Sequence, residues 1–439
     1  MDKEIGKLHI VMVPWLATSH LLPFFELSKR LALKGLQISF FSTPSSIHRL
    51  PSIPKTLTPF LKFIPCSPSA INNENTADVH SEDNKVLLSQ AYAALEHHLI
   101  AFLSNPSCHK PNWIIYDVQA RSWAPALASR FSLNSALFAV FNAASIAFLD
   151  RVAIYDSPEK LATSSDLFPF PTTVALRRFE ALQIGPILPK KKDQQGNELM
   201  LTRTFKEFEA KWINLLGENC IPVGFLPPSF EREEESETWM RICEWLDEQK
   251  EHSVIYVAFG SEVILTREQI DEIALGLEKS GLPFVWVLRM GLPPEGFQER
   301  IAGRGLVWIG WVPQARLLAH PTVGGFLTHG GWNSIVEGMV VGATMVVLPM
   351  QFEQGLTARH LVESGYAMEV VRNDEDGYFS GEEIARKLRM AMVEEEGEEL
   401  RKNARKGKEI FGSEKLQEEY ITELVKNLWQ KRTMVCESV

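Results

Sequence analysis

The stretch WVPQARLLAHPTVGGFLTHGGWNSIVEGMVVGATMVVLPMQFEQ, residues 311–354, decides the fold of this chain. Within it, Val323–Thr328 has the short apolar pattern of a buried strand, and Gly330-Gly331 allow the chain to turn closely after that strand. Trp332-Asn333-Ser334 then open a helix. Because the free N–H groups and positive dipole end of a helix start attract anions, this strand–turn–helix unit predicts a cradle for a diphosphate.

The residues at this helix start have two interpretations. Asn333 and Glu337 are four residues apart and share a face of the helix, where a carboxylate could accept both hydroxyls of a ribose. Ser334 and Glu337 also have the spacing of a capping box, which would satisfy the free N–H groups without a ligand. For this tetrapeptide alone the capping interpretation is favoured. Only the pattern of the whole stretch decides against it.

The whole stretch closely resembles the signature box of plant family-1 UDP-dependent glycosyltransferases. The match covers both ends of the box, and the resemblance extends over almost the whole chain. The residues that carry it are Trp311, Val312, Pro313, Gln314, His320, His329, Trp332, Asn333, Ser334, Glu337, Pro349, Glu353 and Gln354. The resemblance implies an α/β fold of the GT-B architecture, with two facing Rossmann-like domains, parallel sheets and an active site in the crevice between them.

Length and composition predict a soluble enzyme that binds neither nucleic acid nor membrane. A chain of 439 residues suits two or three domains, and 45% hydrophobic and 23% charged residues are ordinary for a globular protein. The formal net charge of −10 argues against a nucleic-acid partner, which would require a basic face. The apolar runs Leu8–Ala17 and Met339–Met350 are too short to span a membrane.

The five cysteines indicate reduced thiols in a cytosolic protein. Their number is odd, they are scattered, and they lack CxxC spacing, which argues against a disulfide framework and against a zinc site. They are Cys66, Cys108, Cys220, Cys243 and Cys436. The expected localisation is cytoplasmic, and the expected oligomeric state is a monomer.

Strands alternate with helices along the chain, which predicts parallel sheets in two doubly wound units. In the first half the predicted strands are Leu8–Val13, Leu36–Ser42, Leu61–Ile64, Trp113–Tyr116 and Ala136–Phe141, and the predicted helices are Leu21–Leu33 and Lys85–Leu103. In the second half the predicted strands are Val254–Phe259, Phe284–Leu288, Leu306–Ile309, Gly325–Thr328 and Thr344–Leu348, and the predicted helices are Arg267–Lys279, Trp332–Met339, Gln354–Ser364 and Gly381–Val393. Neither half has a GxGxxG motif after its first strand, which weakens a dehydrogenase interpretation.

The predicted domain division follows this alternation. Residues 1–228 form an N-terminal, acceptor-binding Rossmann-like domain, and residues 241–413 form a C-terminal domain that binds the UDP-sugar. Residues 229–240, which carry a run of charged side chains, are the predicted linker. Residues 414–439 form a C-terminal helix that, by the resemblance, crosses back to the first domain.

His20 and Asp117 are the candidate catalytic residues. His20 stands at the start of the helix Leu21–Leu33, where the helix dipole disfavours imidazolium and favours a proton-accepting ring. Asp117 ends the fourth strand, which in the usual strand order 3-2-1-4-5 is the neighbour of the first. A carboxylate there could fix the tautomer of His20 and stabilise the charged ring. Taken singly, they could be a helix-start histidine and an N-cap aspartate; together they match the His–Asp dyad of the family.

The resemblance also assigns donor-binding roles. Trp311 matches the platform that stacks on uracil, although a tryptophan before a proline turn is more often a packing residue. The other matches are Val312 and Gln314 for base and ribose, Ser261, His329, Asn333 and Ser334 for the diphosphate, Glu337 for the ribose, and Trp332, Glu353 and Gln354 for the donor sugar.

Three positions depart from the family pattern. Ser19 stands where glycine is frequent, Gly330 where cysteine is common, and Glu353 where aspartate is more usual. The longer Glu353 could shift contacts to the sugar hydroxyls. The segments Val13–Leu16 and Glu353–Leu356 are similar to those of family members that extend sugar chains on flavonoid or terpenoid glycosides, which implies an acceptor that already carries a sugar.

The implied reaction is inverting transfer of a sugar from a UDP-sugar co-substrate to a hydroxyl of a small plant metabolite, with UDP as product. Glucose is favoured, and rhamnose and xylose remain open. No cofactor or metal is expected, because the DxD-like Asp374-Glu375-Asp376 falls in an apparent surface loop. A UDP-sugar epimerase or hydrolase and a non-catalytic nucleotide-sugar-binding protein are the alternatives. The acceptor is expected to contact the variable segments Cys66–Lys85 and Ser145–Arg178.

Overall fold

The computed structural model describes residues 8–67, 82–106, 109–152, 167–185, 198–228 and 237–436. The chain divides into two compact units, neither of which is one continuous segment. The first unit contains residues 1–143, 194–228 and 414–439, and the second contains residues 144–193 and 229–413.

Strands and helices alternate through both units. The described strands are β1 (His9–Val13), β2 (Gln37–Ser42), β3 (Leu61–Pro65), β4 (Trp113–Tyr116), β5 (Asn134–Ala139), β6 (Leu199–Thr202), β7 (Cys220–Pro222), β8 (Val254–Ala258), β9 (Phe284–Leu288), β10 (Gly305–Ile309), β11 (Val323–Thr328), β12 (Thr344–Val347) and β13 (Ala367–Glu369). The described α-helices are α1 (Thr18–Leu33), α2 (Pro44–His48), α3 (Glu82–Ser104), α4 (Ala124–Arg130), α5 (Ala143–Val152), α6 (Arg178–Ile184), α7 (Lys206–Leu216), α8 (Glu237–Asp247), α9 (Arg267–Ser280), α10 (Phe297–Arg300), α11 (Gln314–Leu318), α12 (Trp332–Val341), α13 (Gln354–Glu363), α14 (Gly381–Met392), α15 (Glu398–Phe411) and α16 (Glu414–Cys436).

The first unit is built on a parallel sheet with the strand order β3-β2-β1-β4-β5-β6-β7. Its interior strand β1 is buried along its whole length because both faces of the sheet are covered. Ile10 and Met12 belong to one buried cluster, which includes residues of α1 and α16. Val11 and Val13 belong to a second cluster, which includes residues of α3 and α4. Alternate residues of one strand therefore hold helices on opposite faces.

The second unit is built on a parallel sheet with the strand order β10-β9-β8-β11-β12-β13. Its centre is the pair β8 and β11, in which Ala258 lies opposite Thr328. The two strands therefore end side by side, and the loops that follow them leave the same edge of the sheet. Helices α9 and α14 contribute residues to the core of this unit, among them Ile273 and Leu388, which are at most 1% exposed.

The α/β class and the parallel sheets are confirmed, and the predicted order 3-2-1-4-5 forms part of the first sheet. Each predicted strand is present. The strands β6, β7 and β13 were not predicted. Helix α1 begins at Thr18 rather than at Leu21, so it contains His20 in its first turn.

The units differ from the predicted domains in residues 144–193, which belong to the second unit rather than to the N-terminal domain. The physical reason lies in contacts to α13. The Thr172 hydroxyl and the Thr173 backbone N–H each donate to Glu363 at 2.7 Å, and Arg359 forms an ion pair with Glu180. Most of the predicted linker lies outside the described residues. Residues 237–240, its last part, begin α8.

One helix among the described residues has a segment, Val86–Ser104, that is long and apolar enough to cross a membrane. This segment belongs to α3, and its residues Leu88, Leu95 and Leu99 are buried in the core of the first unit. The Tyr92 hydroxyl donates to the Val13 carbonyl at 3.1 Å. One face of the segment therefore packs into the core of that unit.

Three cysteines in the described part of the chain, Cys66, Cys220 and Cys243, are free thiols. Burial raises the pKa of Cys66 to about 12 and that of Cys220 to about 11. Both thiols are therefore protonated and unreactive at neutral pH. Cys108 lies outside the described residues.

Candidate functional site

The ends of β1 and β4 bring His20 and Asp117 together. His20 follows β1 in the first turn of α1, and Asp117 directly follows β4. These strands are neighbours, with Val13 opposite Tyr116. His20 Nδ1 lies 2.7 Å from Asp117 Oδ2, so the predicted contact between the two side chains is confirmed.

The Asp117 carboxylate makes two contacts, one with His20 and one with the turn that follows Asp117. Its Oδ1 accepts a hydrogen bond from the Gln119 backbone N–H at 3.4 Å, which caps the short 3-10 helix Val118–Ala120. The residue is 1% exposed. The N-cap interpretation and the histidine-partner interpretation are both correct, because each uses a different oxygen.

The imidazole of His20 is held in one orientation. Its side chain is 13% exposed, and Phe141 packs edge-on against the ring with 5.5 Å between centroids. With Nδ1 facing a carboxylate, the proton of the neutral ring lies on Nδ1 and Nε2 becomes the accepting nitrogen. This arrangement can take a proton from a hydroxyl group and stabilise the resulting cation.

The start of α12 is not capped by its own side chains. The N-cap is Gly331, without a side-chain cap bond, and Ser334 and Glu337 lie inside the helix. Instead, Gln314 Nε2 donates to Ser334 Oγ at 3.0 Å and to Glu337 Oε2 at 2.9 Å. The capping-box interpretation is therefore wrong. Three of the predicted donor-binding residues form one hydrogen-bonded group.

His329 lies between β11 and α12, beside the loop that carries Ser261. A Cβ atom added to Gly260 would lie 2.7 Å from His329 Cε1, and one added to Gly331 would lie 2.4 Å from His329 Nε2. Both neighbours of the ring must therefore be glycine. Burial lowers the pKa of His329 to about 4. At neutral pH the ring is therefore uncharged, and its N–H can donate a hydrogen bond to a phosphoryl oxygen.

Trp311 is not a packing residue. Its side chain is 60% exposed, whereas the adjacent Val312 is 5% exposed. Gly310, with φ of 119°, lets the chain turn out of β10 directly before it. An exposed indole after a strand end is available to stack on a planar ring. Trp332, in contrast, is 3% exposed and packs inside the unit, while Asn333 is half-buried.

The Glu353-Gln354 pair begins α13 after a strained residue. Phe352 has φ of 53°, a conformation that residues other than glycine rarely adopt. Gln354 is 5% exposed, and its Oε1 accepts the backbone N–H groups of Met350 and Gln351, both at 3.0 Å. Since its carbonyl oxygen holds the protein's own loop, a sugar contact by Gln354 would have to use its amide nitrogen.

The Asp374-Glu375-Asp376 motif lies at the surface. The side chains of Asp374 and Glu375 are 72% and 69% exposed, and they pair with Arg177 at 3.4 Å and with Arg178 at 2.8 Å. Across the described ranges, no group of three or more His, Cys, Asp or Glu side chains that could hold a metal ion is found. Asp374 and Glu375 of the motif therefore form ion pairs within the second unit.

The predicted site residues fall into two groups. His20 and Asp117 belong to the first unit, and all predicted donor-binding residues belong to the second. Sequence reasoning missed Tyr256, whose hydroxyl donates to Gln314 Oε1 at 3.2 Å. It also missed Arg372, which donates to the Pro349 carbonyl at 2.6 Å in the loop before α13. Neither residue could be recognised as part of the site from the sequence, because a tyrosine inside an apolar strand resembles a core residue and a lone arginine resembles a surface residue.

Comparison with known proteins places the chain among transferases. The family model for UDP-glucoronosyl and UDP-glucosyl transferases matches residues 233–388. UDP-glycosyltransferase 91C1 of Arabidopsis thaliana is 38% identical over 98% of both chains. Soyasaponin III rhamnosyltransferase of Glycine max is 36% identical over 97% of this chain and 96% of its own.

A solved structure supports the same relationship. It is the complex between 3,4-dichloroaniline and a UDP-glucosyltransferase from Polygonum tinctorium that is capable of glucosylating indoxyl. It matches with a TM-score of 0.78 and 25% identity, covering 97% of this chain and 99% of the other. Similarity of this extent includes both units.

Proposed function

The chain belongs to the plant family-1 UDP-glycosyltransferases, and from this premise we propose that it adds a sugar, with inversion at the anomeric carbon, to a metabolite that already carries one. The donor is a UDP-sugar and the acceptor is a small molecule of plant secondary metabolism. The observation that carries the proposal is the 2.7 Å contact between His20 and Asp117. A protein that only bound the nucleotide sugar would not need a buried carboxylate behind an imidazole.

The dyad supplies the base. His20 Nε2 takes the proton of the acceptor hydroxyl as its oxygen attacks the anomeric carbon, and the bond from that carbon to the diphosphate breaks. Asp117 stabilises the imidazolium that forms, and UDP leaves with the bonding electrons. General-base assistance of this kind accelerates a reaction about 10²–10⁴-fold. The proposed scheme needs no metal ion.

The second unit holds the leaving group. We assign the uracil to the exposed face of Trp311 and the ribose to Glu337 and Gln314. The diphosphate is assigned to the first turn of α12, to His329 and to Ser261. Backbone and side-chain hydrogen-bond donors at these positions would stabilise the negative charge that develops on UDP. The hydrogen-bonded group of Gln314, Ser334 and Glu337 supports this assignment, since its hydrogen bonds hold these three side chains in fixed positions.

Two partly exposed indoles support a bulky acceptor. Trp15 lies edge-on to Tyr92 with 5.0 Å between centroids, and the centroid of Trp123 lies 6.3 Å from that of Tyr92. Tyr92 and Asp117 both hydrogen-bond to the Val13 carbonyl, so these rings lie beside the dyad. Aromatic faces suit planar aglycones and the apolar faces of sugar rings. The name of the saponin rhamnosyltransferase relative supports an acceptor that is itself a glycoside.

The decisive experiment compares donor consumption with and without an acceptor. Purified protein is incubated with UDP-glucose alone and with UDP-glucose plus a flavonoid glucoside or a triterpenoid glycoside. We expect UDP release only when a glycoside is present, together with a product that has gained one sugar. UDP-glucose loss without an acceptor would instead indicate a hydrolase or an epimerase, and binding without turnover would indicate a non-catalytic protein.

The donor sugar requires a separate comparison. Glucose is our proposal for the donor, but one relative is named as a rhamnosyltransferase. With one acceptor fixed, UDP-glucose, UDP-rhamnose and UDP-xylose are compared by kcat/KM. The proposal for glucose fails if either of the other donors gives the higher value.

His20→Ala tests the dyad. We expect kcat to fall about 10²–10⁴-fold, because the base is lost, while the affinity for UDP stays unchanged. His97→Ala is the matched control, since His97 is an exposed histidine of α3. Activity is measured by product formation and UDP affinity by calorimetry. Turnover close to that of the unaltered enzyme would remove His20 from the mechanism.

A further inference from the structure

A buried tyrosine hydroxyl reaches the group of side chains that we assign to the nucleotide. Tyr256 lies in the middle of β8 and is 1% exposed. Its ring stacks on Phe326 of the neighbouring β11, with 5.1 Å between centroids and 14° between planes. Its hydroxyl donates to Gln314 Oε1 at 3.2 Å. Because the sheet fixes the ring, it also fixes the position of the hydroxyl.

Gln314 connects this hydroxyl to α12. Its Nε2 donates to Ser334 Oγ and to Glu337 Oε2, at 3.0 Å and 2.9 Å. A primary amide accepts on one side and donates on the other. A donor at Tyr256 and an acceptor at Glu337 therefore select one orientation of the Gln314 side chain. The reversed orientation would place its carbonyl oxygen against the carboxylate.

We propose that Tyr256 is a positioning residue, which, through Gln314, holds the Glu337 carboxylate in the orientation that receives the ribose hydroxyls of UDP. This inference rests on the proposed function, because Glu337 contacts ribose only if the second unit binds UDP. Tyr256 itself does not touch the nucleotide. Without its hydroxyl, the amide can turn and the carboxylate loses a fixed partner.

The chemistry of the site keeps Tyr256 a donor. Burial raises the pKa of its hydroxyl well above the ordinary value, and the charge of Glu337 raises it further. The hydroxyl therefore stays protonated at neutral pH and remains a donor to Gln314.

Tyr256→Phe removes the hydroxyl and retains the ring and its stacking. Calorimetry with UDP and with 2′-deoxy-UDP, for the unaltered protein and for the variant, measures how strongly the ribose 2′-hydroxyl is recognised. We expect UDP to bind about two- to tenfold more weakly to the variant, the effect of one hydrogen bond. We expect 2′-deoxy-UDP to change by less than about twofold. The preference for UDP should therefore fall.

The comparison separates positioning from general damage. Equal weakening of both nucleotides, or an unchanged preference, would overturn the inference while leaving UDP binding in place. Failure of the unaltered protein to bind UDP would overturn the proposed function and the inference together. Tyr366→Phe, in a partly buried tyrosine of the same unit, is the control and should change neither affinity.

A second set of variants tests the same connection at Glu337 and, with Tyr256 unaltered, at Gln314, so that the test does not depend on the folding of Tyr256→Phe alone. In a Glu337→Gln protein, adding Tyr256→Phe should leave the preference between the two nucleotides unchanged, because the carboxylate that Tyr256 acts through is gone. Gln314→Glu keeps an acceptor for Tyr256 but places a second carboxylate against Glu337. It should lower the preference for UDP with Tyr256 intact. An unchanged preference in Gln314→Glu would contradict the proposed connection.

Discussion

His329 has two glycines, Gly260 and Gly331, packed against its imidazole, and a larger residue at either position would collide with the ring. Gly260 has φ of 74°, and an added Cβ would lie 2.7 Å from the ring. We expect Gly260→Ala to displace the imidazole and to weaken UDP binding at least about tenfold, since His329 and Ser261 would both move. The measurement is calorimetric titration with UDP.

Gly281 provides a matched control for that variant. It has φ of 72° at the C-cap of α9, but nothing lies within 4 Å of an added Cβ. Gly281→Ala therefore carries the same backbone strain, about 1–2 kcal/mol, without a collision. It should lower the stability of the unit and leave UDP affinity unchanged. If both variants weakened UDP binding equally, strain rather than displacement of His329 would be the cause.

His329 also makes stability depend on pH. Burial lowers its pKa from the ordinary 6.5 to about 4. Between these values the unfolded chain binds a proton that the folded chain does not, so the free energy of unfolding falls as the pH decreases through this window. At pH 5 this amounts to about 2 kcal/mol.

His329→Gln should remove this component. Urea midpoints are measured at pH 7 and at pH 5 for the unaltered protein, for His329→Gln and for the exposed control His97→Gln. We expect the midpoint of His329→Gln to fall least between the two pH values. The same fall in all three proteins would mean that His329 is protonated in the folded state.

At the scale of elements, α16 is attached to the first unit by apolar burial. Leu424 is fully buried in the cluster that covers one face of the first sheet, whereas Glu414, the ion-pair partner of Arg30, is 72% exposed. We expect Leu424→Ala to lower the free energy of unfolding by about 2–5 kcal/mol and Glu414→Ala by less than about 1 kcal/mol. Chemical denaturation measures both.

The control for Leu424 is Leu33→Ala. Leu33 ends α1 in the same unit but is 64% exposed, so the same change of side chain should have almost no effect. Should Glu414→Ala be as damaging as Leu424→Ala, the attachment of α16 would be electrostatic instead.

Strands and helices could be predicted from the sequence where an apolar run was long enough for its pattern to be recognised. The strands Trp113–Tyr116 and Phe284–Leu288 were predicted with their observed bounds. The strands β7 and β13 have only three residues, too few for a strand pattern to be recognised. The strand β6 was missed although it is as long as Trp113–Tyr116. Helix α7 was missed as well. It is interrupted at Glu209, where φ of −126° and ψ of 29° break the helical repeat.

At the scale of the whole molecule, the order of parallel strands allowed contacts between distant residues to be predicted. His20 and Asp117 are 97 residues apart, and the strand order alone placed them at one edge. No such rule indicated that residues 144–193 belong to the second unit, because their attachment depends on individual pairs such as Thr172 with Glu363. Tyr256 and Gln314 were likewise unpredictable, since side-chain reach across a sheet edge leaves no pattern in a sequence.

The division of the first unit into three segments has a consequence for biosynthesis. Residues 1–143 are translated before the second unit, whereas Ile421 and Leu428, which complete the buried cluster of the first unit, are translated after it. The apolar face that these residues cover therefore has no native partner while the second unit is synthesised. A chain that ended before Ile421 would leave this apolar face uncovered, and we expect such a chain to aggregate rather than to be a weaker enzyme.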